Sequence, residues 1–309
     1  MADLASPQRV FITGATGHLG AHLVRWLVQQ GCEVAVLLRE TSNPWRIASV
    51  LPRLHVFTGD LMTIPTLQGA MNDFAPDAIF HLAWSGVTGL SRNASENIVP
   101  NVCGSLQLCN MAATCGCKTL ICLGSQAEYG RMDTPRCESD PIHPESVYGV
   151  TKTATRTLCE LMAQESGLRL VWVRLSAIYG PMDHEQFVLP YTITTLLRGE
   201  RPSLTLGEQR WDYIYVDDAV RALWALATTE TAQGIFNLGS GAATPIRDIV
   251  TLIRDQIDPA LPLGLGDIPY GPQQMMELQL DIARLTSVTG WCPSTPLLDG
   301  LKKTIAWYR

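Results

Sequence analysis

A glycine-rich turn close to the start of the sequence does most to limit the folds open to this chain. Residues 9–13 form a short apolar run, and Gly14, Gly17 and Gly20 follow it at intervals of three, before a helical pattern that Gly31 ends. Glycine lets the backbone approach a pyrophosphate closely, and the start of a helix offers free N–H groups to it. The turn therefore predicts a dinucleotide site. Its spacing, G-x-x-G-x-x-G, differs from the commoner fingerprint, and a tight turn without a ligand is the alternative.

Short apolar runs alternate with helical patterns through the first half of the chain. Two of the helical patterns are long, at 97–114 and 147–165. Nearly continuous apolar strands separated by helices are typical of a parallel sheet covered on both faces. The predicted fold class is α/β, with a doubly wound parallel-sheet Rossmann domain and a smaller, mixed C-terminal substrate lobe. The predicted strands of the sheet are 9–13, 33–38, 54–58, 77–81, 119–123 and 170–175.

The domain boundary is placed where this pattern changes. After Gly180-Pro181 the helical spacing loosens, and proline and glycine become frequent. We predict that residues 1–175 form the dinucleotide-binding Rossmann domain and that 212–238 return to it. Residues 176–211 and 239–309 are then the substrate-binding lobe.

The end of the second predicted strand bears on the choice of cofactor. NAD-binding folds usually place a carboxylate there for the ribose 2′-hydroxyl. Here Leu38 stands at that position, followed by Arg39 and Glu40, with Arg46 close behind. Arg39 can pair with a 2′-phosphate, which favours NADP (NADPH). NAD stays open, with Arg39 solvated and Glu40 replacing the acid. Asp60, after the third strand, is expected at the adenine end or as a helix N-cap.

Three residues indicate chemistry at a carbon that bears oxygen. Tyr148 and Lys152 are four residues apart in the predicted helix 147–165, so they share one face. A nearby ammonium favours the phenolate and lowers the pKa of a tyrosine. Ser125 follows the fifth strand and could hold a carbonyl oxygen beside that phenol. Together with the glycine turn, these residues predict hydride transfer. By themselves, Tyr and Lys at this spacing are ordinary surface or core residues.

In these motifs the chain resembles the extended short-chain dehydrogenase/reductase family, which includes nucleotide-sugar epimerases, dehydratases and reductases. The resemblance covers essentially all 309 residues, and the order of the motifs makes it specific. The matching segments are Thr13 to Gly20, Gly59-Asp60-Leu61, His81-Leu82-Ala83, Asn101-Val102, Gly124-Ser125, Tyr129-Gly130, Tyr148 to Lys152, Arg174, Tyr179-Gly180-Pro181, Tyr213 to Asp218 and Asn237-Leu238-Gly239.

The resemblance implies roles for the matching residues. Tyr148 would be the general acid or base. Lys152 would lower the pKa of Tyr148 and hold the nicotinamide ribose, and Ser125 would bind the substrate oxygen. The family usually forms homodimers through a four-helix bundle, here from 97–114 and 147–165. The predicted cofactor-binding residues are Gly14, Thr16, Gly17, His18, Leu19, Gly20, Arg39, Asp60, Leu61, Leu82, Ala83, Asn101, Leu123, Tyr148 and Lys152. The predicted substrate-binding residues are Ser125, Gln126, Tyr148, Phe187, Val188, Gln209 and Arg210.

Departures from the family pattern separate the candidate reactions. Sugar 4,6-dehydratases need an Asp-Glu pair just after the serine or threonine of the fifth strand, where this chain has Gln126-Ala127. Neither side chain exchanges protons, so dehydration is disfavoured. Glu128 comes one residue late, and its side chain would point away if the segment is extended. Epimerases retain NAD, whereas an NADP-type site suits an enzyme that exchanges its cofactor.

The leading hypothesis is an NADPH-dependent reductase of a nucleotide-linked keto-sugar, such as an NDP-4-keto-6-deoxyhexose. A nucleotide-sugar 4-epimerase with tightly bound NAD is the second hypothesis. A reductase of a non-sugar carbonyl is the third. The last is a non-catalytic regulator that binds NADP, against which the intact Ser125, Tyr148 and Lys152 argue.

The substrate lobe departs from the family pattern as well. Ser176-Ala177 stands where an asparagine usually precedes Tyr-Gly-Pro, and Trp211 stands where an arginine is expected, with Arg210 beside it. Gln273 and Gln274 lie near the place of another expected arginine. Arg210 could bind phosphate or be a surface arginine. These departures weaken the expectation of a standard UDP or dTDP binding mode.

Composition excludes several other classes of protein. A net charge of −6 without long runs of one sign argues against nucleic acid as the main partner. The nine cysteines, an odd number, indicate reduced thiols, and no His/Cys/Asp spacing suggests a metal. The N-terminus has no signal-like segment, and no apolar run reaches the roughly 18 residues of a membrane span. We therefore expect a cytoplasmic protein with neither a membrane nor a nucleic-acid partner.

Overall fold

A parallel sheet of seven strands forms the centre of the protein. The computed structural model describes residues 7–87, 89–272 and 274–309. Its strands are β1 (Arg9–Thr13), β2 (Glu33–Leu38), β3 (His55–Thr58), β4 (Ala78–His81), β5 (Thr119–Leu123), β6 (Arg169–Leu175), β7 (Ala177–Tyr179), β8 (Ser203–Leu204), β9 (Arg210–Tyr215), β10 (Gly234–Leu238), β11 (Ala243–Pro245), β12 (Gly264–Leu265) and β13 (Glu277–Leu278). The central sheet has the order β10-β6-β5-β4-β1-β2-β3, and its pairs are all parallel.

Helices cover both faces of this sheet. The helices of the described chain, on this sheet and beyond it, are α1 (His18–Gln29), α2 (Gln68–Phe74), α3 (Ile98–Thr114), α4 (Val147–Ser166), α5 (Val188–Leu197), α6 (Val216–Thr228), α7 (Ile246–Ile257), α8 (Ala283–Thr289) and α9 (Leu297–Tyr308). Alternate residues of a strand point to opposite faces. Val10 and Ile12 accordingly pack in one buried cluster with α1 and α6, and Phe11 packs in a second cluster with α2, α3 and α4. The predicted doubly wound Rossmann fold is confirmed.

The helix α4, which carries Tyr148 and Lys152, has clear start and stop signals. The hydroxyl of Ser146 accepts a hydrogen bond of 3.1 Å from the Gly149 N–H and caps the N-terminus. Gly167 ends the helix with a φ of +68°, in the left-handed region that glycine adopts without strain. The predicted helix 147–165 is thereby confirmed to within one residue at its end.

A smaller lobe lies beside the carboxyl ends of the sheet strands. Its four-stranded sheet contains β11, β9 and β13 in that order, with β7 paired to β9. A third cluster packs α5, α7 and α9 together. Because β9 belongs to this small sheet, the segment 212–238 returns to the large sheet only from Val216 onward, through α6 and β10. The division into two domains stays a prediction.

Candidate active site

A cavity of about 1200 Å³ runs from the glycine turn to the smaller lobe. It opens at the carboxyl ends of β1, β4 and β5, where the strand order of the large sheet reverses. Open α/β sheets bind their ligands at such a reversal. The volume exceeds the roughly 300–1,000 Å³ of a typical small-molecule site. A dinucleotide together with a second ligand can therefore be accommodated.

The glycine turn is packed tightly against the end of β4. Gly14 has a φ of +77°, and a Cβ atom on it would lie 2.6 Å from the backbone nitrogen of Ala83. The turn closes with a hydrogen bond of 3.0 Å from the Gly17 N–H to the Gly14 carbonyl. Gly17, the N-cap of α1, has no side chain to occupy the first N–H groups of the helix. These donors can therefore hold an anion such as the pyrophosphate of a dinucleotide.

Most of the predicted cofactor-binding residues line one end of the cavity. His18 is among them, but its imidazole also links α1 to the loop after β7. Its Nε2 lies 3.0 Å from the Pro181 carbonyl and its Nδ1 lies 3.2 Å from an Asp183 oxygen. The lining residues of this group are Gly14, Thr16, Gly17, His18, Leu19, Gly20, Arg39, Asp60, Leu61, Leu82, Ala83, Leu123 and Tyr148.

At the far end of this group, Arg39 lines the cavity and Glu40 does not. The neighbouring Arg46 is already committed to the main chain, since its guanidinium donates to Met182 O at 2.8 Å and Thr16 O at 3.0 Å. Asp60 accepts hydrogen bonds from the backbone of Met62 and Thr63, at 2.8 and 3.0 Å. Arg39 and Arg46 are the arginines near the expected position of a 2′-phosphate. Only the guanidinium of Arg39 lines the described cavity wall without a main-chain partner.

Asn101, which was predicted to bind the cofactor, is not among the residues that line the cavity. Its side-chain oxygen accepts from the Ser85 N–H at 2.8 Å, and its amide nitrogen donates to the Ser85 carbonyl at 2.9 Å. Asn101 is buried, and it fixes the loop after β4 by satisfying both backbone groups of Ser85. In this structure Asn101 shapes that loop, and its predicted binding of the cofactor stays a prediction.

Ser125 is held by a short turn of 3₁₀-helix at Gln126–Glu128. The Ser125 hydroxyl accepts from the Ala127 N–H at 3.1 Å, and the Ser125 N–H donates to Glu128 Oε1 at 3.0 Å. Glu128 is completely buried and also accepts from Trp172 Nε1 at 2.9 Å and Arg174 Nε at 3.0 Å. Glu128 does point away from the cavity, but because this turn is helical and its carboxylate pairs in the core, not because the segment is extended.

Tyr148 lies beside Ser125 at the cavity wall. Burial raises the pKa of Tyr148, and the charge of Arg92 and a hydrogen bond with the Ser125 hydroxyl oppose that rise. The Cζ atom of Arg92 lies 4.3 Å from the centroid of the tyrosine ring. The phenol is thus a protonated, weakly acidic group next to the space that a ligand would fill.

Lys152 is placed differently from the prediction. Its Nζ donates to the Leu123 carbonyl at 2.5 Å, lies 3.5 Å from the Trp84 ring centroid, and is 5.9 Å from the Tyr148 ring centroid. Burial lowers the pKa of Lys152 to about 7, although the charge of Glu128 works against this. The lysine is not among the residues that line the cavity. Its predicted effect on the pKa of Tyr148 and its contact with the nicotinamide ribose stay predictions.

The substrate end of the cavity contains most of the residues predicted for it. Gln126, Phe187, Val188 and Gln209 line it together with Ser125 and Tyr148. Arg210 does not, because its guanidinium donates to Ala243 O at 3.0 Å and lies 3.6 Å from Glu277 on the exposed side of β9. The prediction that Arg210 binds the substrate is wrong, since the alternation of β9 turns Trp211 toward the cavity instead.

Comparison with known proteins agrees with this arrangement. The model of the NAD dependent epimerase/dehydratase family matches residues 10–239. The chain belongs to this family. It is therefore an NAD(P)-dependent enzyme of the extended short-chain dehydrogenase/reductase type that modifies nucleotide sugars.

Relatives in this epimerase/dehydratase family carry out different reactions. A dTDP-glucose 4,6-dehydratase of Streptomyces griseus is 28% identical, with 97% of this chain and 93% of the relative covered. A dTDP-4-dehydro-6-deoxyglucose reductase of Escherichia coli is 26% identical, with 96% of each covered. The structure of a Thermotoga maritima UDP-glucose 4-epimerase with UDP-glucose matches with a TM-score of 0.85 at 26% identity, covering 97% of this chain and 98% of the other. The family alone leaves the reaction open.

Sequence reasoning missed several lining residues of this family member. Trp84 and Ser85 follow the recognised His81-Leu82-Ala83 motif directly, so their position in sequence was a usable signal. Arg92 lay outside every motif. Other lining residues that were not predicted include Ser176, Trp211 and Tyr213. Within the described ranges, no helix is both long and apolar enough for a membrane span, and no cluster of His, Cys, Asp or Glu could hold a metal ion.

Proposed function

We propose that the protein is an NADPH-dependent reductase of a nucleotide-linked keto-sugar. One observation carries the proposal. Tyr148 and Ser125 face the cavity beside Gln126, whereas the nearby carboxylate, Glu128, is paired in the core. A protonated phenol next to a serine hydroxyl can protonate a carbonyl oxygen. Without an acid pair, the described part of the site presents no carboxylate beside Tyr148 to remove a proton from carbon and expel hydroxide.

The carboxylates that line the described part of the cavity also argue against dehydration. They are Asp60 and Asp183. Asp60 accepts from two backbone N–H groups, and Asp183 accepts from the His184 N–H at 2.7 Å and lies against His18. Both belong to structural networks away from Tyr148. Ketone reduction and epimerisation, which use one tyrosine acid or base, fit this arrangement better than dehydration.

The substrate end favours a hydroxyl-rich ligand over an apolar carbonyl compound. Gln126 Oε1, Ser176 Oγ and Gln209 Oε1 are buried at the cavity and have no hydrogen-bond partner among the residues that the structure describes. Buried polar atoms are normally paired. Sugar hydroxyl groups would satisfy these three oxygens, and an apolar substrate would leave them unpaired at about 1–3 kcal/mol each. A nucleotide sugar therefore suits the cavity.

The residues divide the work of the reaction between them. Tyr148 donates its proton to the carbonyl oxygen, and Ser125 orients that oxygen. Glu128 holds the Ser125 backbone, and Phe187 and Trp211 supply apolar wall that excludes water. The bound nicotinamide supplies the hydride. Positioning and proton donation together supply most of the acceleration.

The direct test is reduction of a defined keto-sugar. Protein is incubated with NADPH and NDP-4-keto-6-deoxyglucose, and the loss of nicotinamide absorbance is followed. We expect one NADPH consumed for each sugar reduced.

A 4-epimerase is the second candidate, favoured by the solved structure of a Thermus thermophilus UDP-glucose 4-epimerase with NAD, which matches with a TM-score of 0.85 at 25% identity. Mass spectrometry that finds NAD retained in the purified protein, with no NADPH oxidation, would establish the epimerase instead.

Arg39 is expected to set the preference for NADPH. Arg39→Ala should raise the KM for NADPH by roughly 10- to 100-fold, because a charge-assisted hydrogen bond contributes about 1.5–3 kcal/mol. The KM for NADH should change little. Glu40→Ala is the matched control, since Glu40 is exposed and does not line the cavity. Equal losses with both cofactors in Arg39→Ala would show that Arg39 does not recognise the 2′-phosphate, and a selective NADH loss in Glu40→Ala would favour NAD as the cofactor.

We also propose a homodimer formed through α3 and α4. Val147, Val150, Leu158 and Leu161 lie on one face of α4 and are 40–55% exposed, and Val99 of α3 is 59% exposed. Such a stripe is typical of a protein interface. Leu161→Glu should shift the sedimenting species toward the 33.9 kDa monomer. Val56→Glu, on an exposed valine of β3, is the control. A wild-type protein that sediments as a monomer would contradict the proposal.

A further inference from the structure

Arg92 occupies an unusual position for a charged residue. It lies in the turn Gly89–Asn93 after β4 and lines the cavity, half-buried, with its guanidinium 4.3 Å from the Tyr148 ring centroid. Its Nε is buried and has no hydrogen-bond partner within residues 7–87, 89–272 and 274–309. Among the described residues, no carboxylate lies within the 4.0 Å of an ion pair with it. The structure thus keeps an unpaired cation on the face of the tyrosine.

This arrangement is not explained by stability. A partly desolvated cation without a counter-charge is unfavourable, and a cation on an aromatic face regains roughly 0.5–2 kcal/mol. A lysine or glutamine could have placed its head group in water from the same turn. The position of the guanidinium is therefore better explained by what it does to the phenol.

Arg92 and Lys152 are the two described cations near Tyr148, and the other neighbouring elements bring uncharged or negative groups to it. Ser125, from the end of β5, offers a hydroxyl. Asn93, beside Arg92, accepts from the Tyr148 backbone N–H at 3.4 Å, and Trp84 packs its ring perpendicular to the phenol at 6.1 Å. Glu128, behind Ser125, carries a negative charge that opposes ionisation of the phenol.

Lys152, on the same helix, is the other cation near the phenol. Its Nζ is 5.9 Å from the ring centroid, donates to the Leu123 carbonyl, and lies against the ring of Trp84. Burial lowers the pKa of Lys152 to about 7. A guanidinium stays protonated throughout the range in which proteins are stable.

We propose that Arg92 is a positioning residue for the reaction, which holds the ring of Tyr148 and stabilises the phenolate left when that residue donates its proton. The inference rests on the proposed function, in which the O–H bond of Tyr148 breaks and the proton passes to the carbonyl oxygen as hydride reaches the carbonyl carbon. The phenolate then recovers a proton from water. Arg92 offsets the negative charge during the interval.

The test compares Arg92→Met with Arg92→Lys and with Arg131→Met. Arg131 is a matched control, because it is an exposed arginine that pairs with Glu145 on the surface. For each protein, kcat is measured against pH with NADPH and NDP-4-keto-6-deoxyglucose. The phenolate absorbance of Tyr148 is titrated separately, as the difference from the same protein carrying Tyr148→Phe. That titration needs no substrate.

The sign of the expected shift follows from the role of the phenol as an acid. Reduction requires protonated Tyr148, so activity is lost as pH rises through its pKa. Removing Arg92 removes a charge that lowers this pKa, and the alkaline limb of the profile should therefore move to higher pH. On the plateau, kcat should fall about 10-fold because the phenol is a weaker acid. The kcat and alkaline limb of Arg92→Lys should lie between those of wild type and Arg92→Met, since lysine keeps the positive charge but lacks the planar guanidinium.

The Arg92 variants test the inference, and Tyr148→Phe tests the proposed function, so the two can fail separately. An Arg92→Met profile and titration that coincide with wild type would overturn the inference, even if turnover is lost in Tyr148→Phe. Equal losses in Arg92→Met and Arg92→Lys with an unshifted titration would also overturn it, because they would show a merely structural contact. If Arg92→Met fails to fold, the Arg92→Lys titration still decides. Unchanged turnover in Tyr148→Phe would instead remove the proposed function.

Discussion

Tyr148→Phe is expected to lower turnover by about 10²- to 10⁴-fold, the usual contribution of a positioned general acid. The substitution keeps the ring that packs against Trp84 and Arg92 and removes the hydroxyl. The proton must then come from water, which the cavity wall largely excludes. The KM for the keto-sugar should change much less than kcat, because the lost interaction develops mainly in the transition state.

The control for this substitution is Tyr270→Phe. The Tyr270 hydroxyl accepts from the Glu208 N–H at 2.9 Å, and the residue does not line the cavity. It should retain wild-type turnover. Circular dichroism of both variants checks the fold. A Tyr148→Phe protein with more than about a tenth of wild-type kcat would contradict the role given to this residue, since the loss would fall below the usual range for a general acid.

Glu128→Gln is expected to destabilise the protein by about 3–5 kcal/mol, because it removes one partner of a buried ion pair. Glu128 and Arg174 are both nearly inaccessible to solvent. The amide that replaces the carboxylate would retain one acceptor oxygen. Its NH₂ group would face either the Arg174 Nε–H or the N–H groups of Trp172 and Ser125, all of them donors. Urea unfolding measures the loss.

The matched control is Glu145→Gln, which breaks the exposed ion pair with Arg131. Surface pairs of this kind contribute about 0–1 kcal/mol. Glu128→Gln should also reduce kcat at temperatures where it is folded, since either the Ser125 N–H or the Arg174 Nε–H loses its acceptor and the turn that holds Ser125 is loosened. If the two variants unfold at the same urea concentration, the core network around Glu128 does not have the stabilising role given to it here.

The fold and the catalytic neighbourhood were predictable because local signals determine both. Strand β1, with the glycine turn after it, is defined by apolar residues and glycine spacing. The start of α4 is defined by Ser146, and the helical repeat then places Tyr148 and Lys152 on one face. Such signals act within a few residues, so a single sequence contains them. Ser125 follows the carboxyl end of β5, the edge at which a parallel sheet places its site, and the packing of α4 brings Tyr148 to it.

The remainder depends on partners that are distant in sequence. Glu128 points into the core because Trp172 and Arg174, 44 and 46 residues later, bring donors to its carboxylate. Lys152 turns to the Leu123 carbonyl because Trp84 covers it. The direction of a long side chain is set by contacts of this kind, and no local pattern records them.

The same reason explains which predicted binding residues missed the cavity. Arg210 was assigned by its place beside the expected arginine position, but β9 alternates and only Trp211 faces inward. Asn101 was assigned through a motif, and in the structure its side chain makes two hydrogen bonds that hold the backbone of Ser85. Arg92 has no motif at all, so only the folded turn after β4 shows that it meets the tyrosine.

The central claim is that the site delivers hydride from exchangeable NADPH to a sugar ketone while Tyr148 supplies the proton. It is tested most directly with NADPH deuterated on either face of nicotinamide C4, NDP-4-keto-6-deoxyglucose, and mass spectrometry of the sugar product. The account predicts deuterium transfer to the new carbinol carbon from one of the two labelled cofactors, together with an equal amount of NADP⁺. A product formed without deuterium from either cofactor, or an epimerised sugar made with no net oxidation of NADPH, would contradict it.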